Sequence, residues 1–249
     1  MGIRLVDLFY SIQGEGRYAG KPAFFIRFPE CNLFCGLEKP LKPGNYDQEY
    51  INNLKSVNAG WVCDTMAQWL SNGFQIDIND IVDYISRLSS GSYNIVFTGG
   101  EPLINRSNIL KIIDAVNSKN LKPYIYEIET NGTMEPIEDD SISYNISLKL
   151  SGSGMKRSKR INGNIIRKYL LLKNTWWKFV ISNINDAMEA IEIMDEYGIK
   201  RDSVYFMPAA FSRDELVKNS VEVIEMCKEF GVNYSPRLQI FIYDKYVGV

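Results

Sequence analysis

The stretch "NIVFTGGEPLINRSNILKIIDAV" (94–116) decides the architecture. It opens with a short apolar run of strand character (94–97) and breaks at the polar, glycine-rich "TGGEP" (98–102). Ile109, Ile112, Ile113 and Val116 then recur at helical spacing. Strand, polar turn and amphipathic helix in that order describe a parallel strand feeding a crossover helix. The same alternation extends in both directions. Further strands are expected at "AFFIRF" (23–28), "YIYEI" (124–128), "NISLK" (145–149), "WKFVI" (177–181), "VYFM" (204–207) and "LQIFI" (238–242). Ile78, Ile81, Val82, Ile85 and Leu88 form another helical face, and two later helices end at Gly198 and Gly231, residues suited to a left-handed C-cap. Polar motifs follow the strands directly: "TGGEP", "ETNG" and "SGSG". Parallel α/β architectures hold their sites at the carboxyl ends of the strands. The expected fold is therefore α/β, a full or partial (β/α) barrel with chemistry on one rim. Residues 36–61, rich in Pro, Gly, Asn and Lys, interrupt it as a long loop insertion after the first barrel strand.

The 249 residues are 45% hydrophobic, enough for a sizeable core, and no linker or repeat divides them, so one domain over 1–249 is expected. A net charge of -2 provides no global attraction to nucleic acid or anionic lipid. "KRSKR" (156–160) reads as a solvated basic loop. Arg4 and Asp7 lie where a signal peptide needs its apolar core, and no apolar run reaches the length of a membrane span, so a cytoplasmic protein is expected. The chain contains no histidine. That removes the commonest general base, the usual zinc nitrogen ligand and every Ser-His or Cys-His pair.

Cys31 and Cys35 stand four residues apart in "ECNLFC", and Cys63 follows in "AGWVCDT" where the insertion ends. Looping out the insertion returns Cys63 to Cys35. Three thiolates suit an iron–sulfur cluster with one open iron. Structural zinc needs four ligands, with Cys227 the remaining thiol, although Val223 and Phe230 beside it mark a core position. Three unconnected cytosolic thiols are the plain alternative. In "FTGGEPL" the glycine pair admits close backbone approach and Glu101 offers a carboxylate to an amino group, although the motif is also compatible with a simple turn.

Together, the three cysteines and "TGGEPL" resemble the radical S-adenosylmethionine (SAM) superfamily. Within it, "FYSIQGEGRYAGKPAFFIRFPECNLFC" (9–35), "CDT" (63–65), "ETNGT" (129–133), "ISLK" (146–149), "KFVI" (178–181) and "SPRLQIFIYDKYVGV" (235–249) are similar to the 7-carboxy-7-deazaguanine synthase family. The resemblance implies ring contraction of 6-carboxy-5,6,7,8-tetrahydropterin with loss of ammonia, in queuosine-type deazapurine biosynthesis. It implies a 4Fe-4S cluster on Cys31, Cys35 and Cys63, and magnesium (Mg2+) near Thr65. SAM would be met by Gly100, Glu101, Ser147, Leu148, Lys149 and the turn Met207, Pro208, Ala209 and Ala210, with Val62 and Asp64 flanking its adenosyl group. Ile12, Gln13, Gly14, Glu15, Arg27 and Thr98 would line the pterin pocket, and the terminal carboxylate of Val249 would accept from the pterin's N–H edge. Arg27 suits a planar carboxylate through its bidentate guanidinium, and Glu15 can accept from ring N–H groups. The resemblance also implies a homodimer and an electron donor such as a flavodoxin or ferredoxin, with no nucleic-acid or membrane partner.

Two other functions fit parts of the pattern. A radical SAM activase installing a glycyl radical on a partner protein would leave "SIQGEG" unexplained. A non-catalytic iron–sulfur or zinc protein would use the insertion as a partner surface.

Overall fold

A computed structural model describes residues 2–244. The strands are β1 (Gly2–Leu5), β2 (Asp7–Ile12), β3 (Pro22–Phe28), β4 (Phe74–Asp77), β5 (Asn94–Gly99), β6 (Ile125–Thr130), β7 (Ile142–Ser147), β8 (Thr175–Ile181), β9 (Val204–Pro208) and β10 (Asn233–Tyr234). The α-helices are α1 (Gln48–Asn53), α2 (Met66–Leu70), α3 (Ile78–Leu88), α4 (Arg106–Ser118), α5 (Arg157–Arg160), α6 (Gly163–Leu170), α7 (Ile184–Tyr197), α8 (Arg213–Phe230) and α9 (Leu238–Tyr243). Eight strands form one sheet in the order β10-β9-β8-β7-β6-β5-β3-β2, parallel throughout except for the antiparallel pair β2 and β3. β1 and β4 pair separately. The sheet is open, a partial barrel as expected. Its two edges approach through the turn after β2, where Gly16 N–H donates to Ser235 Oγ at 2.8 Å and Leu238 N–H donates to the Gly14 carbonyl at 3.0 Å.

Alternation along each strand produces two unlike faces. One set, including Phe24, Ile26, Phe28, Ile95, Phe97, Ile128, Tyr144, Trp177, Phe179 and Phe206, packs with α3, α4, α6 and α7 in the main core. The other set lies opposite: Arg27 beside Thr98, Glu127 beside Ser143, and Ser147 beside Lys178 in the strand register. α3 and α4 form on the expected apolar stripes. α7 and α8 end at Gly198 and Gly231, both left-handed at φ 72° and 67°.

Two segments differ from expectation. "LQIFI" is helix α9, not a strand. Its N–H groups bond back along the chain, Ile240 and Phe241 to the Arg237 carbonyl and Asp244 to Ile240, while Leu238 docks on the turn at Gly14. No sheet edge receives it, and strand preference depends on such a partner. The strand expectation rested on alternation that tertiary docking overrides. "KRSKR" is not a wholly solvated loop. Arg160 is buried, pairing with Glu189 at 2.6 Å and donating to the Met155 and Lys149 carbonyls. The insertion also has its own core, with Leu37 and Ile51 packed against Val62, Met66, Trp69 and Leu70. Among the described residues, no helix is long and apolar enough to cross a membrane.

Candidate active site

Cys31, Cys35 and Cys63 follow β3, and all three are free thiols. The insertion folds back as the spacing suggests. Cys63 N–H donates to the Cys35 carbonyl at 3.2 Å, and the three cysteines share one small apolar cluster with Leu33, Phe34, Trp61 and Met155. Gly36 makes this return possible: its φ is 93°, and a Cβ there would stand 2.5 Å from Val62 Cα. Gly100 is equally tight, since a Cβ would meet the Glu30 carbonyl oxygen at 2.2 Å and Cys31 Cβ at 2.6 Å. The strand-end glycine is therefore required by the approach of the cysteine loop. Burial pushes the Cys31 and Cys35 thiols up to about 12, and Cys63 adds to the rise in both. Cys227 sits instead in the main core, its Sγ 3.5 Å from the Asn233 carbonyl.

Among the described residues, no three His, Cys, Asp or Glu side chains converge tightly enough to chelate a single ion. A mononuclear zinc site needs its ligands about 2.3 Å from one point. An iron–sulfur cluster takes cysteine thiolates on its separate irons, and the three cysteines brought into one cluster supply that donor type. The donor set fits that group.

Glu101 is fully buried, and its carboxylate is already engaged. It accepts from Leu103 N–H at 3.1 Å, Asn131 N–H at 2.8 Å and the Thr130 hydroxyl at 2.9 Å. Burial raises its pKa to about 7 against these bonds. It thus ties "TGGEP" to "ETNG" as well as standing at the rim. Ser147 to Lys149 follow β7, with Lys149 Nζ donating to Ser147 Oγ at 3.0 Å, and Met207 to Ala210 close β9, with Ala209 N–H on the Ile181 carbonyl. Val62 is buried in the insertion core. Thr65 Oγ1 lies 3.5 Å from Cys63 Sγ.

The turn Gln13–Gly16 supplies a second group. Gln13, only 2% exposed, donates through Nε2 to Glu127 at 3.1 Å and Glu129 at 3.2 Å, and its side-chain Oε1 accepts from Glu15 N–H. Thr98 donates to Glu129 at 2.7 Å. The Glu15 carboxylate receives Lys178 Nζ at 2.5 Å, Arg237 Nε at 3.0 Å and Gln239 Nε2 at 2.6 Å. Burial alone would raise its pKa, but Lys178 and Arg237 overcome that and hold the carboxyl well below the usual range. Glu127 is driven the other way, upward, by burial and by the Glu129 charge beside it. Arg27 Nε donates to Asp7 at 3.3 Å, and among the described residues its two Nη groups have no protein acceptor. α9 packs closely on Gly14: a Cβ there would stand 1.9 Å from Gln239 Oε1, displacing that side-chain amide, and 3.2 Å from the Gln239 backbone nitrogen. Ile12 is not drawn in: it is 44% exposed and pairs with Pro22 at the far end of β3 from the cysteines. Val249 lies outside the described residues.

Glu127, Glu129, Asn145, Lys178 and Arg237 are not among the residues expected at the site, and Asn145 joins it through Nδ2 on Glu127 at 3.3 Å. Charged residues at alternate positions inside otherwise apolar strands, as in "YIYEIET" and "WWKFVI", are the available signal for Glu127, Glu129 and Lys178. Arg237 carries none, because its position depends on how α9 docks.

The fold is shared with known structures. QueE from Escherichia coli superposes with a TM-score of 0.60 at 20% identity, covering 94% of this chain and 93% of that one. A structure of anSMEcpe with bound AdoMet gives 0.51 at 13% identity over 85% of this chain and 64% of the other. Sheet and rim define the class, an open α/β partial barrel shared with these structures. No protein-family model matches the chain. Curated relatives narrow the class, all named 7-carboxy-7-deazaguanine synthase. The relative from Leptospira interrogans is 30% identical over 203 residues, 78% of this chain and 76% of its own, and that from Pyrobaculum aerophilum is 29% identical over 251 residues, 99% and 97%. A third, from Hyperthermus butylicus, is 25% identical over 96% of this chain and 92% of its own. The chain belongs to the 7-carboxy-7-deazaguanine synthase family.

Proposed function

We propose that the chain is a radical SAM carbon–nitrogen lyase that converts 6-carboxy-5,6,7,8-tetrahydropterin to 7-carboxy-7-deazaguanine with release of ammonia, in queuosine-type deazapurine biosynthesis. The observation that carries this reading is the charge-balanced pocket at Glu15 in a family member whose thiols group at the rim. Cys31, Cys35 and Cys63 hold the 4Fe-4S cluster, with Gly100, Glu101, Ser147 to Lys149, Met207 to Ala210, Val62 and Asp64 disposed towards SAM. The reduced cluster with bound SAM supplies a carbon radical able to take hydrogen from a carbon that no side-chain base deprotonates.

The chain's own residues bind and orient the substrate. Glu15 stays ionised because two buried cations face it, and a carboxylate offers about four acceptor sites. Three are taken by Lys178, Arg237 and Gln239, which leaves room for a pterin N–H. Arg27, anchored to Asp7 through Nε, keeps its Nη edge for the substrate carboxylate. Gln13 and Thr98 hold Glu127 and Glu129 in place beneath that pocket. Thr65 offers a hydroxyl to magnesium, an ion that keeps several waters and needs few protein ligands. The chain acts as one cytoplasmic domain, as a homodimer supplied by a flavodoxin- or ferredoxin-type donor.

Anaerobic incubation of cluster-loaded enzyme with SAM, reductant and the carboxytetrahydropterin is expected to yield 7-carboxy-7-deazaguanine and ammonia. Full iron loading with SAM cleavage but no pterin product would favour the activase. Colourless, zinc-loaded protein would exclude both enzymes.

A further inference from the structure

Arg237 reaches three separate segments of the chain with one side chain. Its Nε donates to Glu15 at 3.0 Å, its Nη2 to Asp64 Oδ2 at 2.6 Å and its Nη1 to the Ala210 carbonyl at 2.7 Å. Glu15 and Asp64 lie 222 and 173 residues away along the chain. Asp64 sits between Cys63 and Thr65, and Ala210 closes the turn after β9. The guanidinium is a rigid planar fork, so its partners cannot shift independently, as they could around a lysine ammonium. Arg237 itself is held at the start of α9, which docks on the Glu15 turn through Leu238 N–H and the Gly14 carbonyl. The side chain is 8% exposed, whereas Asp64 is 41% exposed. A displaced guanidinium therefore moves the half-exposed Asp64 loop more readily than it moves Glu15, which Lys178 also restrains.

We propose that Arg237 is a positioning residue that couples the Glu15 turn to the loop carrying Cys63 and Asp64, so that pterin and SAM alter each other's affinity through it. This rests on the reading that Glu15 faces the pterin and Asp64 faces SAM. A pterin N–H that draws on the Glu15 carboxylate changes the charge opposing Arg237. The strength of its hold on Asp64 changes in consequence. Linkage makes the effect reciprocal.

The test uses cluster-loaded wild-type enzyme and the Arg237→Lys, Glu15→Gln and Asp64→Asn variants. Iron content and melting temperature verify that each is loaded and folded. Without ligands, amide hydrogen exchange across residues 61–66 is measured under anaerobic conditions. Glu15→Gln, remote in sequence from that loop, is expected to speed exchange there several-fold, as is Arg237→Lys. SAM affinity is then measured with and without the pterin. Wild type is expected to show at least about a fivefold change, and Arg237→Lys and Asp64→Asn less than about twofold. The coupling is overturned if exchange in the loop is unchanged in both variants, or if a wild-type enzyme that turns over the pterin shows no change in SAM affinity. It is also overturned if Arg237→Lys keeps the wild-type change. If wild type neither binds nor turns over the pterin, the functional reading fails, and the exchange measurement alone decides whether Arg237 links turn and loop.

Discussion

The two faces of the sheet are built from the same strands and obey opposite rules. Towards the helices, Phe97, Ile128, Tyr144 and Phe179 make one continuous apolar core. Towards the interior, their immediate neighbours in sequence are Thr98, Glu127, Asn145 and Lys178, all buried as well. On the first face burial supplies stability. On the second it forces every charge to find a partner, because an isolated buried charge is far more costly than a buried methyl group is favourable. The interior charges meet that demand mutually, Lys178 with Glu15 and Gln13 with two carboxylates. Asn94, Ser143 and Trp176 on the interior strands still carry buried polar atoms without a protein partner. The outer face thus sets whether the chain folds, and the inner face sets what the folded chain can hold.

Substitutions can break or sharpen this contrast, and the largest effect is expected at the rim where both faces end. Cys63→Ala should abolish turnover and reduce iron loading, read by iron and sulfide analysis of the reconstituted protein, while the metal-free chain unfolds at nearly the wild-type denaturant concentration. A comparable loss of stability would mean that the thiol loop belongs to the folding core.

Next are adjacent residues on opposite faces. Ile128→Ala removes a fully buried side chain from the helix-facing core and should cost about 2–5 kcal/mol in denaturant unfolding. Glu127→Gln keeps the shape and removes the cost of holding a buried carboxyl protonated beside Glu129, so at neutral pH the variant should be at least as stable as the parent. Its pterin KM should nonetheless rise, by up to about tenfold, about one hydrogen bond's worth, because an amide cannot reproduce the carboxyl's donor and acceptors towards Gln13 and Asn145. Equal stability losses at both positions would erase the distinction between the faces.

A smaller signature is the pH dependence of the metal-free protein. Burial and the Glu129 charge raise the folded Glu127 pKa above the ordinary glutamate value of 4.5, so the native state binds the extra proton between the two values. Its contribution is therefore present below about 4.5 and lost as pH rises through the folded pKa. Glu15 has the opposite sign, and its contribution is lost only as pH falls below the ordinary carboxylate range. Glu127→Gln should flatten the decline above 4.5 by up to about 1.4 kcal/mol per pH unit, measured by urea unfolding across that range. The smallest effect belongs to Ser143→Ala. Its hydroxyl has no protein partner, so stability should change by less than about 1 kcal/mol. A larger loss would show that an ordered water completes that site.

The amino-acid sequence by itself determined the alternation of strands and crossover helices, since period two and period 3.6 are local patterns that packing only confirms. It also determined the rim. The glycine at 100 and the thiols at 31, 35 and 63 are residue types whose chemistry is legible without coordinates, whereas the need for Gly36 emerges only in the fold. Tertiary structure decided the rest. "LQIFI" is an apolar run of strand character, yet Leu238 N–H docks on the Gly14 carbonyl, Ile240 and Phe241 bond back to Arg237, and the segment winds into α9. That docking brings Arg237 and Gln239 onto Glu15, across more than two hundred residues of chain. Glu101 reads as a free ligand in "TGGEP" but in the fold also anchors "ETNG". The physical reason is common to all three cases. A side chain's type states which bonds it can make, whereas burial and the partners brought in from distant segments decide which of those bonds it must make.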